Sequence, residues 1–115
     1  MESYENEVKD LIEYARYRGV RIIPEFDTPG HTKAWGPGGG DGFLADCKNY
    51  RGGVTHDGPI DPTREENFEI MARLVKEIKS VFSDSYLHLG GDEVKKTCWD
   101  SNPKIKQWMV ENDIR

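Results

Sequence analysis

Apolar residues recur along this chain with two different periods, and the alternation between them outlines a fold. Val8, Leu11, Ile12 and Ala15 fall at helical spacing on one stripe. The stripe stops at Gly19, a residue that takes the left-handed conformation of a helix end without steric cost. Val20-Arg21-Ile22-Ile23 is short and rich in β-branched residues, which predicts a strand. Pro24 has no amide proton to donate and is expected to end that strand's pairing. Residues 28–62 hold most of the glycines and prolines and read as a long loop, a feature that is usually functional in a compact domain. Thr63-Arg64-Glu65-Glu66 reads as a capping box. It opens a helix with Phe68, Met71, Ala72, Val75, Ile78 and Phe82 on its packing face. Tyr86-Leu87-His88-Leu89 predicts a second strand ending in Gly90-Gly91. A last helix is expected to start with Asn102 as cap and Pro103 in its first turn, carrying Ile105, Trp108 and Met109.

A strand, a crossover helix and a further strand normally form a parallel α/β unit. Reactive residues in such folds sit where strands end and loops begin. Both polar clusters of this chain lie there: Glu25-Phe26-Asp27 with His31, and Asp92-Glu93. Gly90 and Gly91 allow a sharp turn, after which two carboxylates project together. Such a pair resists joint ionisation and yields a proton donor beside an anion, the combination that glycosidic hydrolysis uses. An acid pair that caps a helix or is solvated at the surface is the plain alternative. His31 can orient a carboxylate, shuttle a proton or bind metal. A metal set of Asp27, His31, His88 and Asp92 lacks compact ligand spacing, and His88, inside a strand, reads as a hydrogen-bonded core residue. No Lys-Ser or Lys-Thr closes the glycine run after Trp35, so a phosphate loop is not indicated. No serine sits in a nucleophile elbow. Trp35 and Trp99 can stack on a pyranose face or pack the loops.

Composition narrows the partners. The 115 residues, 36% hydrophobic and 32% charged, fit a soluble globular domain or part of one. No apolar run approaches the roughly 20 residues of a membrane span. The N-terminal MESYENEVKD is acidic and polar, unlike a secretory signal. A net charge of −5 argues against nucleic acid, and Lys95, Lys96, Lys104 and Lys106 flank acids as a solvated face. Cys47 and Cys98 are too few for a structural zinc site and can be one bridge or two buried thiols.

Two stretches carry a family resemblance. Pro24-Glu25-Phe26-Asp27-Thr28-Pro29-Gly30-His31 and Tyr86-Leu87-His88-Leu89-Gly90-Gly91-Asp92-Glu93-Val94, in this order across one crossover, resemble glycoside hydrolase family 20, the β-N-acetylhexosaminidases. The flanks Ile12-Glu13-Tyr14-Ala15-Arg16 and Thr97-Cys98-Trp99 are similar too, most of all to the animal lysosomal enzymes. The resemblance implies a TIM (β/α)8 barrel, of which residues 1–115 would be a partial catalytic domain with about two of the eight βα units. It implies removal of terminal non-reducing β-linked N-acetylglucosamine or N-acetylgalactosamine from glycans and glycolipids, with retention and assistance from the substrate's own acetamido group. Glu93 would be the acid/base, Asp92 would orient the acetamido group, and His31 would support Glu93. Asp27 and Trp35 would be substrate-binding positions. No metal or organic cofactor is expected, Cys47 and Cys98 would form a disulfide, and a lysosomal or secreted location and a dimeric parent fit the family. The family's sugar-gripping arginine and acetamido-pocket aromatics have no counterpart in this chain, so it is expected to be inactive alone. The alternative is a non-catalytic short product that acts as a binding piece.

Overall fold

Pro24 begins the pairing of the two strand segments, where the sequence suggested it would end it. Proline lacks a donor but keeps its carbonyl. In the computed structural model, which describes residues 2–49 and 51–114, that carbonyl accepts from His88 N at 2.9 Å. Phe26 N donates to His88 O at 3.1 Å and Thr28 N to Leu89 O at 3.0 Å. Glu25 and His88 thus form a parallel bridge, the chain direction expected of a crossover unit. The expected strand at Val20–Ile23 does not form. Val20 and Ile23 are 56% and 45% exposed, and the tie to the second segment there is an ion pair rather than a ladder. Arg21 forks onto Asp84, Nε to Oδ2 at 2.5 Å and Nη2 to Oδ1 at 2.8 Å. Asp84 also accepts Tyr86 N–H, and together these donors, Arg21 first, lower its carboxyl to about 2.

Helix α1 spans Glu2–Arg16 and closes at Gly19, whose φ is +70°. Helix α3, Glu65–Val81, is the crossover helix and lies against α1. Its N-terminus corrects the capping box: the Thr63 hydroxyl and amide both donate to Asp61 Oδ1, at 2.7 and 2.8 Å, which leaves Arg64 at the cap position with no side-chain cap. The packing face also shifts. Asn67 and Ile78 are the buried residues of α3, whereas Phe68 is 57% exposed.

The long loop is more structured than its glycine content suggests. It holds a 3-10 turn at Lys33–Trp35, the single-turn helix α2 at Gly36–Gly39, and a hairpin of β1 (Cys47–Lys48) with β2 (Val54–Thr55). Leu44 and Ile60 form an antiparallel bridge, and with Phe43 they make a hydrophobic cluster that takes in Trp35, Ile70 and Met71. Buried Asn67 ties this loop to α3. Its Nδ2 donates to Asp61 O at 2.9 Å and to Phe43 O at 3.1 Å, the latter also accepting Asp61 N–H at 2.9 Å. Beyond the second segment an unforeseen short helix, α4 (Lys96–Ser101), precedes α5 (Pro103–Glu111). Asn102 caps α5 as expected, accepting from Lys104 N and Ile105 N.

A disulfide joins Cys47 on β1 to Cys98 on α4, across 51 residues of sequence. Closing a loop of that length removes about 4 kcal/mol of unfolded-state entropy in the chain-entropy picture. Ala45, Cys98 and Ile105 form the second buried cluster around it. The whole is elongated, 52 × 27 × 24 Å with a radius of gyration of 17.2 Å. A compact domain of this length would have about 13 Å. Tyr86 and Leu89 on the second segment are 66% and 52% exposed, so the paired segments lack lateral and facial cover.

Gly58 is buried against the disulfide, where an added Cβ would lie 2.5 Å from Ala45 O and from both Sγ atoms. Gly58→Ala is expected to lower stability by about 1–3 kcal/mol in thermal unfolding, because neither backbone nor bridge can yield freely. Gly38→Ala, with nothing near its added methyl, should be neutral or slightly stabilising. Equal effects of the two substitutions would contradict the packing described.

Candidate active site

The site is assembled where the paired segments end. Asp27 lies two residues past the bridge, and its carboxylate uses both oxygens: Oδ1 accepts Gly91 N–H at 2.9 Å, and Oδ2 accepts from His31 Nδ1 in a short hydrogen bond. The first bond spans the two segments and the second folds the following turn back onto its own strand end. That turn is held by the buried Thr32 hydroxyl, which donates to Pro29 O at 3.0 Å, and by Ile60 N, which donates to the same oxygen at 2.9 Å. Gly30 rests against the backbone of Asp92 and Val94, so the two site-bearing turns touch.

Backbone conformation at the site is unusual. His31 and Glu93 have φ of +56° and +51°, a region that costs a residue bearing Cβ roughly 1–3 kcal/mol. Both of these residues are functional candidates from the sequence, and both are held this way by neighbouring hydrogen bonds and glycine turns. Gly90 also has positive φ, +67°, and a Cβ there would fall on the Asp27 carboxylate. Glycine is therefore required at this position on two counts.

With Nδ1 bonded to Asp27, the other imidazole nitrogen is free to face the acids. His31 Nε2 lies 3.4 Å from Glu93 Oε2. The Gly91 amide, and next the His31 ring, hold Asp27 below the usual carboxylate range. The hydrogen bond and charge of Asp27 raise His31 above the usual imidazole value, and Asp92 and Glu93 add to this. His31, with a raised value, contributes stability fully below the ordinary imidazole value and loses it as pH rises through its folded value. Asp27, with a lowered value, contributes stability above the ordinary carboxylate value and loses it as pH falls through its folded value. The pair is at full strength between those two ordinary values.

Asp27, His31 and Asp92 place ligand-type atoms within 4.8 Å of one another. The oxygens of Asp27 and the Nδ1 of His31 are nevertheless committed to each other and to Gly91, and His31 Nε2 faces Glu93. His88 does not join them. Its Nδ1 accepts Gly90 N–H at 3.0 Å and carries no proton, so the Glu25 oxygen 3.3 Å from that atom is a contact without a hydrogen bond. The arrangement suits proton transfer better than metal ligation.

Of the residues singled out from sequence, Asp27, His31, Asp92 and Glu93 are brought together, and Cys47 and Cys98 are bonded. Trp35 is not brought to them. It packs half-buried on the Phe43–Leu44–Ile60 cluster, and Trp99 packs beside Cys98 and Ile105. Sequence reasoning missed Lys33, which pairs with Asp57 at 2.8 Å, and Gly58. Both border an open depression of about 730 Å³ that also contacts His31, Glu93 and the disulfide. The distance between Lys33 and Asp57 along the chain leaves no local signal for their pairing.

Comparison with known proteins places these motifs in a wider set. The family model for the catalytic domain of glycosyl hydrolase family 20 matches residues 3–115. The chain is 49% identical over 104 residues to the human beta-hexosaminidase subunit beta, covering 90% of this chain and 18% of the relative. It is 52% identical over 105 residues to the mouse beta-hexosaminidase subunit alpha, covering 90% of this chain and 19% of the relative. The chain therefore spans about a fifth of the length of these curated relatives. Among solved structures, a Flavobacterium johnsoniae chitobiase superposes with a TM-score of 0.73 at 30% identity, over 96% of this chain and 17% of that one. A Vibrio harveyi exo-β-N-acetylglucosaminidase superposes with 0.72 at 26% identity, over 96% and 18%.

Replacing Asp27 with asparagine keeps an acceptor and removes the charge that raises His31. The imidazole titration midpoint, followed by NMR of the ring protons, is expected to fall towards the ordinary histidine value in Asp27→Asn. An unchanged midpoint would show that Asp27 does not control this ring.

Proposed function

We propose that this chain, which belongs to glycosyl hydrolase family 20, carries the proton-transfer machinery of an exo-acting β-N-acetylhexosaminidase. The observation that carries the reading is the position of His31, bonded to Asp27 through Nδ1 while Nε2 faces Glu93 at 3.4 Å. A positively charged ring there stabilises the glutamate after it has lost its proton and is itself stabilised by Asp27. The relatives' names support the substrate class: hexosaminidases act on terminal N-acetylhexosamine, here of glycans and glycolipids.

In the reaction proposed, the carbonyl oxygen of the substrate's 2-acetamido group forms a bond to the anomeric carbon while the bond to the leaving oxygen breaks. Glu93 gives its proton to that oxygen. Asp92 orients the acetamido group and balances the positive charge that grows on its nitrogen in the oxazolinium intermediate. Water then attacks the anomeric carbon, Glu93 takes its proton, and the acetamido group is restored, with net retention. In this reading Asp27 acts through His31, to which it is bonded.

Residues 1–115 are read as part of a (β/α)8 barrel. The elongated shape and the exposed Val20, Ile23, Tyr86 and Leu89 support this, since neighbouring barrel strands and helices would cover them. Turnover is expected only from the longer protein that completes the barrel. Its location is proposed as lysosomal or secreted, in line with a disulfide that forms in oxidising compartments. The word subunit in the relatives' names supports assembly with a second chain.

The test uses the full-length protein and aryl N-acetyl-β-glucosaminide and -galactosaminide substrates. Glu93→Gln is expected to lower kcat by about 10²–10⁴-fold with the fold intact. Activity within about twofold of the parent would remove Glu93 from its role. Dialysis against a strong chelator is expected to leave turnover unchanged, and a loss restored by a divalent cation would favour metal chemistry at Asp92 and His31 instead.

A further inference from the structure

We propose that His88 is a positioning residue, whose ring nitrogen Nδ1 replaces a lost strand partner and so sets where Asp92 and Glu93 lie. This rests on the roles proposed for those two acids, and it gives a task to a histidine that the proton transfer does not use. The pairing of the two segments is regular at the Glu25–His88 bridge. There His88 N donates to Pro24 O at 2.9 Å and Phe26 N to His88 O at 3.1 Å. Continued by two residues, the same parallel pattern would send Gly90 N to Phe26 O and Thr28 N to Gly90 O. The chain does otherwise. Thr28 N turns to Leu89 O at 3.0 Å, and Gly90 N turns to the His88 ring nitrogen at 3.0 Å.

This slip of one residue shapes the site. It lifts Gly90 and Gly91 out of the ladder, with φ of +67° and +100°. The Gly91 N–H is then placed to meet Asp27 Oδ1 at 2.9 Å, and Glu93 follows with Oε2 3.4 Å from His31 Nε2. A ladder amide that leaves its carbonyl needs another acceptor. His88 supplies one from two residues back on the same segment. Side chains alternate along a strand, so Glu25 and Asp27 share a face, and His88 and Gly90 lie beside them on it. The contacts bear out that register: His88 pairs with Glu25, and a Cβ on Gly90 would fall on the Asp27 carboxylate. The His88 ring therefore sits below Asp27, close enough to hold the turn and outside the proton path. Its Nδ1 must be bare to accept, so the ring carries its proton on Nε2. Without that acceptor the Gly90 amide is free to rejoin the ladder at Phe26 O. Gly91 N–H would then be drawn away from Asp27, and Glu93 away from His31.

The experiment uses the full-length protein, an aryl N-acetyl-β-glucosaminide and two substitutions that differ in the acceptor. His88→Phe keeps a planar ring and loses the acceptor, whereas His88→Asn puts an oxygen close to where Nδ1 stood. His88→Phe should lower kcat about ten- to a hundredfold and change KM by no more than about threefold, because misplaced acids fail chiefly as charge develops. His88→Asn should recover kcat to within about threefold of the parent. Hydrogen exchange read by mass spectrometry should quicken across residues 89–92 in His88→Phe and stay at the parent's rate in His88→Asn. A parent-like kcat in His88→Phe, or equal losses in the two variants, would overturn the proposal. Should thermal unfolding show that His88→Phe does not fold, His88→Gln, whose acceptor sits one bond further out, replaces it with the same expectations. If the parent itself cleaves no such substrate, the function proposed for Glu93 fails separately. The exchange pattern then decides for His88 alone, and equal exchange in all three proteins would reject its role.

Discussion

The carboxylate of Asp27 is the interaction on which the site depends. Its two oxygens face different parts of the chain, one taking the Gly91 amide of the second segment and the other the ring of His31 in its own loop. Each bond solves a separate problem. The amide bond brings the turn before Asp92 and Glu93 against the first segment. The imidazole bond fixes which nitrogen carries the proton towards Asp27, and so which nitrogen is left for Glu93. A neutral acceptor could do both, but the raised basicity of His31 needs a charge.

This junction imposes costs that the neighbouring sequence absorbs. His31 and Glu93 sit at positive φ, and Gly90 is needed because a methyl group would strike Asp27. Strain of this kind persists only where the surroundings over-determine it. Here the surroundings are the bridge at Glu25 and His88, the bonds to Pro29 O, and the Cys47–Cys98 disulfide beyond. The disulfide ties the long loop to α4 and borders the depression beside His31 and Glu93, so one covalent constraint serves both stability and the shape of that hollow.

Much of this was legible in the sequence, for identifiable reasons. Helix positions followed from periodicity, Gly19 and Asn102 behaved as the terminators they resemble, and the two short motifs located the four polar site residues. The misreadings come from competing hydrogen-bond partners and from missing neighbours. Thr63 gave its hydroxyl to Asp61 instead of capping α3, and Asn67 is buried with its amide on the Phe43 and Asp61 carbonyls while Phe68 is exposed. Pro24 was judged by the donor it lacks, whereas the parallel bridge uses its carbonyl. Strand pairing over Val20–Ile23 needs lateral neighbours that this stretch of chain does not supply. The Lys33–Asp57 pair and the depression it borders depend on how the long loop folds back, which no local pattern encodes.

In the function proposed, Asp27, His31 and Glu93 act as one proton-handling unit. A double-mutant cycle on kcat/KM in the full-length protein, combining the neutral amide replacements of Asp27 and Glu93, tests it most directly. The account predicts strong non-additivity, with the double variant scarcely slower than the Glu93 variant alone, because Asp27 has no proton donor left to tune. Independent, multiplying losses would contradict it and leave Asp27 as a structural residue only.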